Sequence, residues 1–334
     1  MRRVLLPHHF SQHPAPARGT VRDFRGLSMG TSWSVRLVAP ADAAPDAHLQ
    51  EGMQQQLDIV VAQMSHWYAD SSLSRFNRGA AGTWHTLPAE FFEVLAFALE
   101  VARASGGAYD PGIGALINRW GFGPGGGYAL ADFAPPTPAE VAALLAQGRG
   151  RIELDTLAHR ARQPGATLLD LSAVAKGHGV DRVARYLEGQ GVRHYLVEVG
   201  GELRGAGSKP DGQPWWVALE QAETGPGDLV LALHGLAVAT SGDYRRFFQR
   251  GARRYSHTLD PRSGAPIDNA LASVTVVHAE CMAADAWSTA LTVLGAEAGL
   301  ALADRLGLAA RFLERDGAGL RERLSLSMRR MLQQ

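Results

Sequence analysis

The stretch LLDLSAVAKGHGVDRVARYLEGQGVRHYLVEVGGELRGAG, residues 168–207, predicts a strand, a turn, a helix and a second strand in close succession. Apolar residues predict the first strand over 167–171, and Ser172 with Ala173 predicts the turn. An amphipathic helix is predicted over 174–187, because apolar side chains recur there at helical spacing. These side chains belong to Val180, Val183, Ala184 and Leu187.

Both ends of this predicted helix carry further signals. Gly189 and Gly191 follow its last turn, where glycine commonly ends a helix, and a second strand is predicted over 195–199. Lys176 and Gly177 lie in the first turn, where backbone N–H groups favour an anion. Gly177 would let a ligand approach the backbone closely. The alternative is an ordinary crossover with a solvated lysine, because glycines near a helix start are a weak phosphate signal.

Composition and charge restrict the class of protein. The chain has 334 residues, enough for one large domain or two smaller ones. Its 33 basic and 33 acidic side chains give a net charge of zero without a basic stripe, so nucleic acid is not an expected partner. Since 38 glycines and 17 prolines are present, many turns are expected. The sequence has no apolar run near the ~20 residues that span a bilayer, so no transmembrane segment is expected.

The single cysteine and the N-terminal residues bear on the compartment. Cys281 excludes an intramolecular disulfide, and its apolar surroundings predict a small buried side chain. The apolar run 4–6 is interrupted at Pro7 and is too short for a secretory signal. Residues 1–20 are predicted to be disordered. The chain as written is therefore expected in the cytoplasm, and a start further upstream would make the periplasm the expectation.

Local patterns predict further elements along the chain. Thr137 with Glu140 has the pattern of a capping box at a helix start. Alternating or apolar runs predict strands over 24–38, 152–155, 160–163, 215–219, 229–233 and 273–277. Helical spacing of apolar residues predicts helices over 48–64, 90–105, 282–294 and 298–306.

Residues 170–177, DLSAVAKG, with the following Val180 and Asp181, resemble the signature of the ApbE family, the FAD:protein FMN transferases. The resemblance covers about residues 27–316, with mild departures such as Ser172–Ala173 where the family commonly has two glycines. Other segments match family motifs in the family's order: residues 29–31 (MGT), 64–77 (MSHWYADSSLSRFN), 108–123 (AYDPGIGALINRWGFG), 236–248 (LAVATSGDYRRFF) and 255–266 (YSHTLDPRSGAP).

The resemblance implies an α+β fold of the ApbE type, which is T-fold-like, with mixed sheets, flanking helices and a flavin site in a cleft between lobes. The implied transferase domain spans residues 21–316 and precedes a C-terminal tail, 317–334. One or two edge strands and a loosely ordered basic end are expected over residues 308–334. Residues 123–138 are rich in glycine and proline, which favours a lobe boundary there.

The resemblance also implies a reaction. It is the Mg²⁺-dependent transfer of FMN from FAD to a Thr or Ser hydroxyl of an acceptor redox protein, with release of AMP. Two alternatives remain open. One is an FAD pyrophosphatase that gives FMN and AMP, with water replacing the acceptor hydroxyl. The other is a flavin carrier without catalysis, which loss of the metal ligands would favour.

The resemblance places the flavin donor against a set of separated residues. Without the resemblance, Met29 is interpreted as plain core. Residues 108–123 could then equally form a rigid surface loop. The implied FAD-binding residues are Met29, Trp67, Ala108, Tyr109, Asp110, Asp170, Lys176 and Leu259.

Candidate metal ligands lie on the helix predicted over 282–294. Asp285 and Thr289 are four residues apart and share one helix face, where a carboxylate and a hydroxyl suit Mg²⁺ with phosphate oxygens. The resemblance adds the backbone carbonyl of Ala173 as a ligand, and Ser288 is a further or indirect one. The alternative is a solvated aspartate beside a threonine bonded to its own helix.

Catalysis by such a site requires charge neutralisation and a base. Lys176 is expected to neutralise phosphate, and Arg246 is a second candidate for this role. His257 is a candidate base for the acceptor hydroxyl, since imidazole titrates near neutrality. Asp243 is the competing base. The alternative for a single histidine in a loop is a structural or solvated role.

Overall fold

The computed structural model describes residues 3–7, 19–40, 43–124, 127–148, 151–219, 229–244, 246–251, 253–317 and 319–332. The strands in these residues are β1 (Arg3–Leu5), β2 (Val21–Ser28), β3 (Thr31–Val38), β4 (Trp84–Thr86), β5 (Glu153–Asp155), β6 (Arg160–Arg162), β7 (His194–Val199), β8 (Glu202–Ala206), β9 (Trp215–Ala218), β10 (Leu229–Leu233), β11 (Leu236–Gly242), β12 (Phe247–Arg250), β13 (Arg253–Ser256), β14 (Leu259–Asp260), β15 (Ala265–Pro266), β16 (Leu271–His278), β17 (Ala309–Asp316) and β18 (Gly319–Leu324).

The helices confirm the mixed α and β character expected from the sequence. They are α1 (Asp46–Met64), α2 (Ser72–Asn77), α3 (Ala89–Ala104), α4 (Gly114–Arg119), α5 (Pro138–Gln147), α6 (Ala175–Gly189), α7 (Cys281–Leu294), α8 (Ala296–Leu306) and α9 (Leu326–Leu332).

The chain forms two compact units. Unit 1 comprises Met1–Ile59, Lys176–Gly242 and Ala270–Gln334, and unit 2 comprises Val60–Ala175 and Asp243–Asn269. The lobe boundary predicted near residues 123–138 is therefore wrong, because that segment lies inside unit 2. Its described residues connect α4 to α5, and Pro138 begins α5.

Unit 1 is built on an eight-stranded sheet in the order β18-β17-β16-β11-β8-β7-β3-β2, with antiparallel neighbours. A smaller sheet has the order β1-β10-β9, in which β1 runs parallel to β10. Helix α7 packs against β11 and β16, near the centre of the large sheet. A helix at this position carries its polar side chains into a buried environment.

One core cluster of unit 1 joins the large sheet to α1 and α6. Trp33, Val35 and Leu37 alternate along β3 and are all buried, as period-two spacing requires. The apolar face predicted for α6 is confirmed, and burying each aliphatic side chain contributes about 1.5–3 kcal/mol. Its buried members are Val180, Val183, Ala184 and Leu187.

Unit 2 contains a three-stranded sheet, β4-β6-β5, and the hairpins β12–β13 and β14–β15. An apolar cluster with aromatic stacking packs α4 and α5 against both hairpins. The capping box predicted at Thr137 is confirmed, because its hydroxyl accepts from the Glu140 N–H while the Glu140 carboxylate accepts from the Thr137 N–H. This cap begins α5 where the sequence predicted it.

The first predicted strand, residues 167–171, is wrong apart from one parallel bridge between Ile113 and Leu168. Its backbone bonds go to neighbouring loops and side chains instead of a ladder. Asp170 N–H donates to the Pro111 carbonyl at 2.8 Å, and Leu169 N–H donates to Asn77 Oδ1 at 2.7 Å. The helix and second strand of that stretch are confirmed as α6 and β7.

The prediction for the N-terminal segment needs correction, whereas the strands expected over 308–334 are confirmed as β17 and β18. Part of the N-terminal segment predicted to be disordered is strand β1, where Leu5 is fully buried and Arg3 pairs with Glu322. Residues 8–18 lie outside the described residues. The C-terminal tail holds the edge strand β18 and helix α9, which buries Met328 and Met331. Burial of these apolar side chains explains why β1 and α9 are ordered.

Candidate functional site

The candidate site of unit 1 depends on close contact between α6 and α7. The N–H of Gly177 donates to Asp285 Oδ2 at 3.0 Å. A Cβ at position 177 would lie 2.4 Å from the Cys281 carbonyl oxygen and 2.9 Å from Asp285 Cβ. The space beside Gly177 is therefore filled by α7, so the expected approach of a ligand at this glycine is wrong. Cys281 is buried, as predicted.

Lys176 faces two buried acidic groups, while its own side chain remains 31% exposed. Its ammonium forms an ion pair with Glu202, whose side chain is 5% exposed, at the start of β8. Burial lowers the pKa of Lys176, but the charges of Asp285 and Glu202 outweigh this and raise it. Lys176 thus differs from an ordinary solvated lysine in its ion pair with a buried acid, and its role at phosphate stays a prediction.

The two carboxyl groups of this cluster are costly to ionise. Burial raises the pKa of Glu202 to about 7, against the opposing charge of Lys176. Burial also raises the pKa of Asp285, which Lys176 and the Gly177 N–H oppose. One ammonium facing two carboxyls leaves one negative charge uncompensated when both are ionised. A cation bound here would lower that cost.

A chain of hydroxyl groups connects α7 to β11. Ser288 Oγ donates to the Asp285 carbonyl oxygen at 2.9 Å, and Ser241 Oγ lies 2.7 Å from Ser288 Oγ and 3.0 Å from Thr289 Oγ1. Each hydroxyl has one hydrogen. Because Ser288 uses its hydrogen on Asp285, Ser241 donates to Ser288 and Thr289 donates to Ser241. The lone pairs of Thr289 Oγ1 then remain as acceptors.

These oxygens suit a hard cation that takes only a few of its ligands from the protein. Asp285 supplies one carboxylate and Thr289 one hydroxyl, and Mg²⁺ is commonly held by one or two carboxylates plus substrate phosphates. The described part of the chain has no cluster of three or more His, Cys, Asp or Glu side chains suited to a metal. The donor set therefore fits Mg²⁺ brought together with a diphosphate. The alternative of a solvated Asp285 is wrong, since it is 3% exposed.

In unit 2, Asp170 is fixed by its own segment. Its Oδ1 accepts from the Ser172 N–H at 2.7 Å, and its Oδ2 lies 3.4 Å from His66 Nδ1. The turn predicted at Ser172–Ala173 is present, and Ala173 lies half-buried in it. A cavity of about 180 Å³ beside this segment is lined by His66, Ser74, Asn77, Arg78, Gly114, Asn118, Pro124, Leu168, Leu169 and Asp170.

The loop after α3 runs beside this segment of unit 2. Ala108 and Tyr109 are buried, whereas Asp110 is exposed and its Oδ1 accepts from the Gly112 N–H at 2.7 Å. Because the Gly114 N–H donates to the Leu168 carbonyl at 2.8 Å, the loop is tied to the Asp170 segment. The structure thus brings Ala108, Tyr109 and Asp110 into the neighbourhood of Asp170.

The remaining candidate flavin residues lie apart from that loop. Trp67 is 60% exposed, and Leu259 is buried in the aromatic cluster of unit 2. Met29 lies in the tight turn between β2 and β3 at φ 50°, and it packs over Gly179 of α6. This packing agrees with the alternative of Met29 as core. Since Met29 belongs to unit 1 and Trp67 and Tyr109 to unit 2, a shared flavin contact stays a prediction.

The two candidate bases flank the open end of hairpin β12–β13, one on each strand, and have different partners. His257 Nδ1 lies 2.9 Å from the Arg246 carbonyl oxygen, which accepts only if this nitrogen carries the proton. Nε2 is then the basic nitrogen of the neutral ring. Asp243 faces the Arg254 guanidinium at 3.6 Å. Arg246 donates to the Phe122 carbonyl at 2.8 Å, so its expected phosphate role would require breaking that bond.

Sequence reasoning missed three residues of this arrangement. Glu202 follows a Gly-Gly pair after a buried strand, and this position was its only local signal. Ser241 and Asp181 stand inside recognised motifs, but nothing in their spacing identified their partners. All three contact α6 or α7 from distant parts of the chain.

Comparison with known proteins identifies the family of this chain. A model of the ApbE family matches residues 29–312. The FAD:protein FMN transferase of Vibrio cholerae serotype O1 is 36% identical over 92% of this chain and 91% of the relative. The FAD:protein FMN transferase of Haemophilus influenzae is 36% identical over 92% of this chain and 90% of the relative. The apo structure of Pseudomonas stutzeri flavinyl transferase ApbE has 37% identity and a TM-score of 0.85, covering 94% of this chain and 97% of that one. The chain belongs to the ApbE family.

Proposed function

We propose that this protein is an FAD:protein FMN transferase that moves FMN from FAD to a Thr or Ser hydroxyl of an acceptor protein and releases AMP. The observation that carries the proposal is the cluster of the partly exposed Lys176 with the buried Glu202 and Asp285, which joins α6, β8 and α7. In such a cluster the Lys176 ammonium can bind a phosphate group, and the Asp285 carboxylate can bind a metal ion. Family membership supports the same activity.

Each residue of the cluster has a distinct part in the proposed chemistry. Asp285 and Thr289, together with the Ala173 carbonyl, would hold Mg²⁺, and Ser288 acts indirectly through its bond to Ser241. When bound, Mg²⁺ supplies positive charge to the diphosphate oxygens. Lys176 binds a phosphate oxygen, and Glu202 orients the Lys176 ammonium. The proposed flavin contacts are Met29, Trp67, Ala108, Tyr109, Asp110, Asp170 and Leu259.

Bond making and breaking occur at the phosphorus on the FMN side of the diphosphate. The acceptor hydroxyl oxygen forms a new P–O bond there, the P–O bond to AMP breaks, and AMP leaves with the bridging oxygen. His257 takes the hydroxyl proton at Nε2, with Asp243 as the competing base. The proposal favours His257, because the Asp243 carboxylate faces the Arg254 guanidinium.

The partner is an acceptor redox protein with a Thr or Ser in a loop of small residues. In the described residues, no helix is long and apolar enough to cross a membrane. Fractionation of cells expressing the chain tests the predicted cytoplasmic location.

The activity is tested by incubating the chain with FAD, MgCl₂ and such an acceptor. The acceptor should gain the mass of one FMN and a fluorescent band that survives denaturation. An acceptor with its Thr replaced by Val is the matched control and should gain neither. Accumulation of only free FMN and AMP would indicate the pyrophosphatase, and unchanged bound FAD would indicate the flavin carrier. Either result contradicts the proposal.

A further inference from the structure

The carboxylate of Asp181 reaches from α6 to the beginning of α7. Its Oδ1 accepts from the Cys281 N–H at 3.0 Å, and its Oδ2 accepts from the Met282 N–H at 2.8 Å. The first N–H groups of a helix have no partner within the helix and carry partial positive charge. Asp181 therefore satisfies two of them, from 100 residues earlier in the chain.

The residue that begins α7 does not supply this cap itself. Glu280 stands at the N-cap position, and its side chain makes no capping hydrogen bond within the described residues. In contrast, Asp181 is 4% exposed, so its charge acts with little screening by water. The position of the first turn of α7 thus depends on a side chain of α6.

Asp181 is itself held in place. Arg204 Nη1 on β8 donates to Asp181 Oδ1 at 2.6 Å, and the Arg204 side chain is 22% exposed. The Asp181 charge raises the pKa of Arg204 despite opposing burial. This ion pair connects the sheet strand β8 through α6 to α7. β8 also carries Glu202, the partner of Lys176.

Asp285 lies one turn after the capped amides, on the same rigid helix. It is also bonded to the Gly177 N–H, so α6 contacts α7 at two points one turn apart. Residues that hold a metal ligand in place commonly change metal affinity 10- to 100-fold when they are replaced. A shift of the first turn of α7 would move the Asp285 carboxylate relative to Ser241 on β11, whose hydroxyl is bonded to Thr289.

We infer that Asp181, held by Arg204, is a positioning residue for the metal site: its cap on α7 sets the place of the Asp285 carboxylate. The inference rests on the proposed function, because it requires Asp285 to bind the cation. Asp181 contacts neither substrate nor metal in this scheme. It acts through the backbone of Cys281 and Met282.

The test measures Mn²⁺ binding to the full chain by electron paramagnetic resonance, with FAD present and acceptor protein absent. For Asp181→Asn we expect the Mn²⁺ dissociation constant to rise about tenfold or more. In a separate assay with acceptor protein, transfer by Asp181→Asn should return at saturating metal, because the metal ligands themselves remain. Arg204→Gln keeps Asp181 but weakens its support and should raise the constant about threefold. This second variant serves if Asp181→Asn does not fold.

A matched control separates positioning from general loss of stability. Ser325 is fully buried, and its Oγ accepts from the Ala310 N–H at 2.9 Å and donates to the Leu308 carbonyl at 2.7 Å. Ser325→Ala should lower the melting temperature and leave Mn²⁺ affinity unchanged. An equal loss of affinity in Ser325→Ala, or parent affinity in both Asp181→Asn and Arg204→Gln, would overturn the inference. If the parent itself binds no Mn²⁺, the metal assignment at Asp285 fails as well.

Discussion

The N–H of Gly177 lies 3.0 Å from Oδ2 of Asp285, so the first turn of α6 directly contacts the buried carboxylate of α7. This contact is possible only because residue 177 has no side chain: a Cβ there would meet the Cys281 carbonyl oxygen at 2.4 Å. The glycine of the sequence signature therefore serves helix packing. The hydrogen bond from the Gly177 N–H also holds the Asp285 carboxylate beside Lys176.

The first prediction concerns this glycine. Gly177→Ala should push α7 away from α6, because the backbone carbonyl of Cys281 cannot move independently of its helix. We expect a loss of about 1–3 kcal/mol in the free energy of unfolding, together with a higher Mg²⁺ concentration needed for half-maximal activity. Urea denaturation measures the first effect and a Mg²⁺ titration the second. Gly189→Ala in the same helix is the control, since its Cβ meets nothing within 4 Å, and it should be neutral. Equal behaviour of both variants would contradict the packing argument.

The second prediction separates metal from phosphate contacts. Asp285→Asn should lose transfer at ordinary Mg²⁺ concentrations, because it removes the only strong anionic ligand of the proposed set. Thr289→Ala should raise the Mg²⁺ requirement only modestly, since a water can replace the hydroxyl. Lys176→Ala should raise the KM for FAD without changing the Mg²⁺ requirement. Activity is measured against Mg²⁺ and FAD for each variant, with circular dichroism as the folding control. Parent-like transfer by Asp285→Asn at low Mg²⁺ would show that the metal binds elsewhere.

The third prediction concerns pH and Glu202. Burial raises the pKa of Glu202 from an ordinary value of 4.5 to about 7, so the folded state binds its proton more tightly than the unfolded state does. Stability should therefore fall as the pH rises between these two values, because the unfolded state releases the proton first. Glu202→Gln should lack this component of the slope.

Thermal melts of the parent and Glu202→Gln from pH 4.5 to 8 test this dependence. Glu297→Gln is the matched control, because Glu297 is exposed in the first turn of α8, and it should keep the parent slope. A parent slope retained in Glu202→Gln would assign the dependence to another group.

The fourth prediction concerns the base. His257→Gln should reduce the single-turnover rate of transfer about 10²- to 10⁴-fold, the usual worth of general-base catalysis. It should also flatten the acidic limb of the pH–rate profile. Asp243→Asn should have a much smaller effect, because its carboxylate faces Arg254 at 3.6 Å. The reverse order of the two variants would make Asp243 the base. FAD binding by both variants, followed by flavin fluorescence, controls for loss of the site.

Much of the local structure followed from the sequence. Helical spacing predicted α6 and α7 to within a few residues, and the capping box predicted the start of α5. These features depend on residues three or four positions apart, whose contacts are the same in every helix. The ordered motifs also identified the family, which the matching family model confirms.

The tertiary structure alone decided how the charged groups meet. The pair of Lys176 with Glu202 joins residues 26 positions apart, and the contacts of α6 with Asp285 and Cys281 join residues 108 and 100 positions apart. The spacing of residues in the sequence does not predict such pairs, because each depends on how the sheet and helices pack. The same packing decided that residues 167–171 form loop rather than strand and that β1 and α9 are ordered. The sequence by itself determined the longer helices and the family, whereas burial among distant elements determined which acids face Lys176.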